Sequence, residues 1–316
     1  MRKRWRQLSP RWKRFILIAI ILLVLIFFAI RILYWSIVST TESMYEEYEP
    51  SIVEAPVIPV SDGKSSNEED IAKPITVLLL GVDERPDNKG RSDTMIVLAL
   101  NPKEGTTKML SIPRDTLTSI EGYREADKIN HAYAYGGTAT TKKTVEQLLQ
   151  IPIDYVITVN MEGFLAVIDA VDGVTVTNPF SFTYQGETFE KGELNLTGEQ
   201  ALGFVRMRYD DPAGDFGRQE RQKTVVKSLL QKLSSPKALL KLPTFQDIAE
   251  SHVRMNIRFQ EMPTLQKYYR DSFKQFESIQ VTKGRGEMRN GIYYYVFHPL
   301  ELQDIRTELQ TFIATK

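Results

Sequence analysis

Sixteen consecutive apolar residues, Phe15 to Ile30, cannot be left in water, and they decide where the rest of this 316-residue chain can go. After Arg31 the apolar character continues to Trp35. At about 1.5 Å of rise per residue the segment makes roughly 31 Å of helix, close to the ~30 Å hydrocarbon core of a bilayer. The run is long for a secretory leader and no small-residue cleavage site follows it, so the pattern predicts an uncleaved anchor over 15–35. Arg31 can snorkel, and Tyr34 and Trp35 suit the membrane interface. Residues 1–14 carry seven Lys or Arg and no acid, whereas Glu42, Glu46, Glu47 and Glu49 follow the run. That asymmetry orients the N-terminus inside. The expectation is a single-pass type II protein of the cell membrane, with a cytoplasmic basic tail at 1–14 and everything beyond about residue 36 outside.

The charge balance then has to be recounted for the outer part. The whole chain is formally neutral, but the part beyond the anchor keeps 32 of the 40 basic residues and all 40 acids, a net charge near −8. By bulk charge that makes a poor nucleic-acid binder, so clustered arginines there need a local explanation. There is no cysteine, which excludes disulfides, thiolate metal sites and a thiol nucleophile. His131, His252 and His298 are too scattered for a zinc site of the HExxH type.

Residues 36–73 read as an extracellular linker, with Pro50, Pro56 and Pro59 ahead of the polar run SDGKSSNEED. A catalytic domain is expected over 74–316. It opens with the buried strand PITVLLLGV, and TMIVLAL and TKMLSI repeat the apolar β-rich pattern across the turn NPKEG. Residues 138–149 read as a helix, IDYVITVN as a strand, EGFLAVIDAV as a helix and TGEQALG as a short helix. A long amphipathic helix follows in FGRQERQKTVVKSLLQKL. The chain then adds the strand GIYYYVF and a closing helix near 299–313. Short strands alternating with helices predict an α/β fold, a layered α/β/α domain around a mixed central sheet.

The polar residues of interest sit at strand ends, where such folds place their sites. Asp83 lies just past the first strand, and Arg91 and Asp93 lie just before the second. Should these strands be neighbours, the two carboxylates could approach as magnesium ligands do; otherwise they are loop acids on a solvated edge. Arg114 and Asp115 follow the third strand, and Lys128, Asn130 and His131 precede a glycine pair. A lone histidine there reads as a hydrogen-bonding residue of the fold.

The segment FVRMRYDDPAGDFGRQERQ, 204–222, begins as though it were an apolar strand. Arg206 and Arg208 would share a face of an extended chain, and Arg218, Arg221 and Gln222 share a face of the helix that follows. Either these arginines close an internal salt-bridge network with Asp210, Asp211, Asp215 and Glu220, or they clamp phosphate oxygens. Carboxylates, a metal and several arginines suit phosphoryl transfer, which is mostly positioning and charge neutralisation. No nucleotide-binding loop, GxSxG elbow or kinase signature is present.

In order, LLLGVD, RSDT, SIPRD, KINHAYAYGG and FVRMRYDDPAGDFGRQERQ resemble the LytR-CpsA-Psr family of membrane-anchored enzymes of Gram-positive cell envelopes, over roughly 74–235. The resemblance implies a transferase that moves a glycopolymer such as wall teichoic acid from undecaprenyl pyrophosphate to a peptidoglycan hydroxyl, releasing undecaprenyl phosphate. It implies Asp83 and Asp93 as ligands of magnesium, or of manganese. It implies Arg114, Asp215, Arg206 and Arg208 as catalytic residues, with Asp215 orienting Arg218 or deprotonating the acceptor. Arg91, Arg114, Lys128, Arg206, Arg208, Arg218 and Gln222 would bind the pyrophosphate. Arg221 matches no family position and is expected to tolerate change. The polyprenyl tail would need an apolar pocket, lined in part by Val225, Val226, Leu229 and Leu230. The partners are then the lipid-linked glycopolymer, peptidoglycan and the membrane, with no nucleic acid. A lipid-pyrophosphate hydrolase differs only in the attacking group. A membrane-bound transcription attenuator has only 14 cytoplasmic residues to work with, too few for a helix-turn-helix.

Overall fold

The apolar runs become the middle of a sheet. In the computed structural model, which describes residues 31, 34, 38–48, 73–84, 90–235, 238 and 241–315, strands β1 (Ile75–Val82), β2 (Ser92–Asn101) and β3 (Thr106–Ser111) form an antiparallel meander. A small hairpin of β4 (Leu117–Ser119) and β5 (Ala126–Lys128) leads into helix α1 (His131–Leu149). Strand β6 (Tyr155–Asn160) then returns parallel to β1. Helix α2 (Met161–Ala170) and the short strands β7 (Val174–Asn178), β8 (Phe182–Tyr184), β9 (Glu187–Phe189) and β10 (Gly192–Leu196) come next. Helices α3 (Gly198–Arg206), α4 (Asp215–Leu233) and α5 (Leu242–His252) follow, and then β11 (Val253–Met255) and α6 (Met262–Tyr269). The chain closes with β12 (Gln275–Ile279), β13 (Arg285–Arg289), β14 (Ile292–Val296) and α7 (Pro299–Ala314).

The central sheet has the order β11-β6-β1-β2-β3-β12 and is mixed, as expected. Period-two alternation splits β1 between two cores. Leu78, Leu80 and Val82 pack with Val145 and Leu149 of α1 and Ile305 and Leu309 of α7. Ile75 and Val77 face the other way, against Val226 and Leu230 of α4 and Leu265 of α6. A third cluster joins β7, β10 and α3 through Val176, Leu196, Ala201 and Phe204.

The GIYYYVF strand is present as β14, which pairs with β13 in a separate hairpin, while β11 and β12 supply the central sheet's edges. Two expectations need correcting. Phe204–Arg206 is helix, not strand. Thr197 and Gln200 form a reciprocal capping box, and burial of Ala201, Phe204 and Val205 carries the helix on to Arg206. Finally, part of the expected linker is docked. Met44 packs on Val253 and Met255, Tyr45 bridges to Met255, and Arg258 Nε donates to the Tyr45 hydroxyl at 3.1 Å. The packed part of the protein therefore begins well before residue 74. The expected tail and anchor fall outside the described residues except for Arg31 and Tyr34, and among the described residues no helix is long and apolar enough to cross a membrane.

Candidate phosphate-binding site

Asp93 owes its position to a bulge. Gly81 pairs with Thr94 and Val82 with Ser92, so Asp93 is the extra residue of β2, and such bulges re-aim side chains at sheet ends. One carboxylate oxygen lies 3.1 Å from Arg114 Nη1, and the other accepts from Asn130 Nδ2 at 3.1 Å. Arg114 leaves the end of β3, and its backbone carbonyl accepts from the Asn130 amide, which ties the two loops together. Lys128 Nζ is 2.7 Å from Asp115. Asp83 is half-buried just past β1, with its amide donating to the Arg91 carbonyl at 3.2 Å. The strands of Asp83 and Asp93 are indeed neighbours.

The arginine-rich segment supplies the other wall. Asp215 occupies the first turn of α4, where a carboxylate suits the positive end of the helix dipole. Its Oδ1 lies 2.8 Å from Arg218 Nη2 and 3.5 Å from Arg208 Nε, and neither contact has the alignment of a hydrogen bond. Its Oδ2 accepts from Gln219 at 3.2 Å. Burial lowers the pKa of Arg218, and Arg114 and Arg208 add repulsion that Asp215 and Asp93 do not fully offset. Burial also works against the charge on Arg114, but Asp93, Asp215 and Asp115 outweigh it and leave its pKa raised. Arg114, Arg208 and Arg218 thus converge from three separate segments on two carboxylates. Arg114 Nε and Arg218 Nε are buried with no hydrogen-bond partner, as is the acceptor Asn130 Oδ1. Donors held dry and unused are what an anion would complete.

The remaining candidates divide. Gln222 is buried one turn beyond Arg218 on the same helix. Arg91 is exposed at the β2 edge. Arg206 ends α3 exposed and makes no ion pair among the described residues, and because it is helical the strand face it was to share with Arg208 does not exist. Arg221 departs furthest from expectation. It is 4% exposed, paired with buried Asp211, and bonded through Nε to the Phe204 carbonyl at 2.9 Å and through Nη2 to the Met207 carbonyl. Its guanidinium lies 5.3 Å from the Phe182 ring centroid. The internal network is therefore real: it is saturated at Arg221 and Asp211, whereas at Asp215 it reaches Arg208 and Arg218 and leaves the Arg218 Nε unused. Gly217 makes room for it, since a Cβ there would lie 2.1 Å from the Asp211 carboxylate.

An apolar cavity of about 260 Å³ lies on the α4 side of the sheet, between Val77, Leu79, Leu98, Leu230, Leu265 and Phe273. Of the four residues expected to line such a pocket, Leu230 does and Val226 packs in the adjoining cluster. Val225 and Leu229 point instead into the β7–β10 core. Twelve residues separate Arg218 from Leu230, so α4 carries the charged cluster and the apolar cavity about 18 Å apart along one axis.

Spacing assigns no role to Asp115 or Asn130, and no pattern in the sequence singles out Asp127. Asp127 accepts from Tyr135 at 2.6 Å and lies 2.7 Å from His131 Nδ1. The histidine is a hydrogen-bonding residue of the fold, as expected.

The model of the LytR_cpsA_psr family matches residues 34–311. A relative from Bacillus subtilis (strain 168), named polyisoprenyl-teichoic acid–peptidoglycan teichoic acid transferase TagU, is 45% identical over 75% of this chain and 77% of its own. The crystal structure of B. subtilis TagU superposes with a TM-score of 0.63 at 40% identity, covering 77% of this chain and 98% of that one. A structure described as TagT bound to LIIa-WTA gives a TM-score of 0.68 at 33% identity, covering 84% and 97%. The match runs from the docked N-terminal segment to the last helix, and the chain belongs to the LytR_cpsA_psr family.

Proposed function

We propose that this protein is a phosphotransferase that attaches an undecaprenyl-pyrophosphate-linked glycopolymer of the wall teichoic acid type to a peptidoglycan hydroxyl and releases undecaprenyl phosphate. The observation that carries this reading is the convergence of Arg114, Arg208 and Arg218, two of them with buried, unused guanidinium nitrogens. Fixed guanidinium groups grip a pyrophosphate in bidentate fashion and are already in place when charge shifts onto the leaving phosphate. Asp215 holds Arg208 and Arg218 together and is read as a positioning residue. The acceptor oxygen bonds to the sugar-bearing phosphorus as the bridging P–O bond breaks, and the lipid phosphate leaves with the electron pair. The loose transition state of such transfers demands little of a general base. The apolar cavity further along α4 suits the first isoprene units of the lipid.

Among the described residues no group of three or more His, Cys, Asp or Glu could hold a metal ion. The oxygen set nevertheless fits magnesium, which takes one or two carboxylates and completes its shell with substrate phosphate and water. Asp83 and Asp93 would supply the carboxylates, and Asn130 Oδ1 is a buried acceptor without a donor whose amide nitrogen bonds Asp93. A bound magnesium would neutralise pyrophosphate charge; the protein's own part is to aim Asp93 through the bulge and through Asn130.

The membrane placement rests on the apolar run at 15–35, and a reporter fused after Lys316 should be active outside the cytoplasm. The activity is tested by incubating the full-length protein with a lipid-pyrophosphate-linked saccharide, magnesium and peptidoglycan oligomers. A phosphodiester-linked conjugate is expected. Free phosphosaccharide formed at the same rate with and without the oligomers would instead identify a hydrolase and defeat the transferase reading.

A further inference from the structure

We infer that the exposed tyrosine pair Tyr123–Tyr135, with the polar hub at Asp127 beneath it, is a saccharide-binding platform that seats the acceptor glycan beside the phosphate site. The inference rests on the transferase reading for the identity of the glycan, though not for the existence of the site.

A single exposed tyrosine is ordinary, but two in contact make a larger aromatic patch. Tyr123 is 46% exposed and Tyr135 40%, and their rings stack with centroids 4.4 Å apart at 26°. Each ring covers one face of the other, and the exposure that remains belongs to outer faces and edges, on which a pyranose ring can stack through its axial C–H bonds. Tyr123 sits on the β4–β5 hairpin and Tyr135 on the first turn of α1, so the surface is assembled from two elements. The glycine pair explains how. Gly136 (φ −139, ψ 18) and Gly137 (φ 67, ψ −153) leave the helical path, which detaches the turn 131–135 from the rest of α1 and sets its direction separately. A Cβ at Gly136 would collide with Thr140 Oγ1 at 1.9 Å.

The platform is fastened from below. Asp127 accepts from the Tyr135 hydroxyl at 2.6 Å, from the Lys128 amide at 2.8 Å and from the Tyr294 hydroxyl at 3.4 Å, with His131 Nδ1 at 2.7 Å. Burial works to raise the Asp127 pKa, but the bonds from Tyr135 and His131 outweigh it and hold it below the ordinary value. That geometry fixes the Tyr135 ring and leaves phenol and imidazole edges for sugar hydroxyl and acetamido groups, the mix of aromatic face and placed polar groups typical of ligand sites.

Position supplies the function. The eight residues 128–135 run from Lys128 and Asn130, which bond Asp115 and Asp93 of the charged cluster, to His131 and Tyr135 of the platform. A saccharide on the tyrosines would therefore be held by the same segment that bonds Asp115 and Asp93 of the charged cluster. The chemistry recognised is a β-linked amino-sugar chain with free hydroxyls, as in an uncrosslinked glycan strand.

The test is a binding isotherm of the full-length protein in detergent with chitotetraose, a soluble β-1,4-linked N-acetylglucosamine oligomer, and no donor present. Tyr123→Ala should weaken binding about fivefold to tenfold, while Tyr123→Phe, which keeps the ring, should bind like the parent. In transfer assays the same alanine variant should raise the acceptor KM and leave kcat within about twofold. Equal chitotetraose affinity for the parent and Tyr123→Ala overturns the platform even when transfer proceeds. Conversely, affinity lost with the ring upholds the platform even when no transfer is found. Should Tyr123→Ala fail to fold, nuclear Overhauser contacts between tyrosine ring protons of the parent and the pyranose protons decide the matter, and their absence overturns it.

Discussion

Arg218 and Arg221 stand three residues apart on one helix, both under a tenth exposed, and they live in opposite electrostatic worlds. Every edge of the Arg221 guanidinium is used: on Phe204 O, on Met207 O and on Asp211, with aromatic rings of Phe182 and Phe204 beside it. Arg218 meets one carboxylate oxygen, keeps a buried Nε idle, and faces two further guanidinium groups. A saturated buried charge anchors the turn that presents the site. An unsaturated one stores an attraction for an anion still to come. Spacing alone made the two look alike; what differs is the surroundings.

Removing the saturated charge should have the largest effect on the protein. Arg221→Ala leaves Asp211 buried without a partner and two carbonyls without donors, a loss of about 3–5 kcal/mol. Melting of the full chain should fall by at least about 6 °C, with near-normal specific activity in what stays folded. Arg221→Lys should fail as well, because one ammonium cannot serve three acceptors spread around a planar fork. An unchanged melting curve for both variants would erase the contrast. Breaking the fork of the unsaturated charge, with the charge itself kept, should do the reverse. Arg218→Lys should lower kcat/KM by about 10²–10³-fold, as for loss of one preorganised donor, with melting shifted by no more than about 2 °C. A stability loss as large as that of Arg221→Ala, with normal turnover, would make Arg218 structural.

How far the sequence could have revealed this follows from the same physics. The buried strands β1 and β2 were legible because both faces are covered and their centres are apolar runs, while β3 shows only Met109 and Leu110 within TTKMLS. The edge strands were not: QFESI and VRM alternate with exposed polar residues and hold their place by pairing with β3 and β6. Arg114, Lys128, Asp93, Arg208 and Arg218 stood out as candidates because each lies at or near an element end within a motif. The mistake over Arg206 came from reading three apolar residues as extended when the capping box at Thr197 had already started a helix. Arg221 was misjudged because its partner, Asp211, is reached only by folding a turn back on the helix. The residues of the tyrosine platform were invisible as a set, since Tyr123 and Tyr135 meet only once the glycine pair redirects α1.

Gly217 lies between the two regions and sharpens the boundary. A methyl group there meets the Asp211 carboxylate at 2.1 Å and must displace it from Arg221. Gly217→Ala should therefore cost about 1–3 kcal/mol of stability, although it is the neighbour in sequence of Arg218. Turnover per folded molecule should stay within about threefold. If thermal stability holds and turnover collapses, the two arginines are not separable and the division drawn at Gly217 is in the wrong place.

The smallest expected effect isolates the unsaturated charge without any chemistry. Inorganic pyrophosphate should bind where Arg114, Arg208 and Arg218 converge, because it supplies the acceptors that Arg114 Nε and Arg218 Nε lack. A ligand at tenfold excess over its Kd stabilises the folded state by about 1.4 kcal/mol, which for a chain of this size is a rise of about 3–5 °C in melting temperature. Arg221 already has its partners and contributes nothing to the anion, so a folded fraction of Arg221→Lys should show the same rise from a lower starting point. Arg218→Lys keeps the charge but loses the fork, so its rise should shrink to about a third or less. Screening by salt should reduce the rise in the parent only modestly, since the two guanidinium nitrogens are buried. Equal rises in the parent and Arg218→Lys would mean that the idle nitrogens are not what the anion meets, and the contrast between the two arginines would reduce to one of packing.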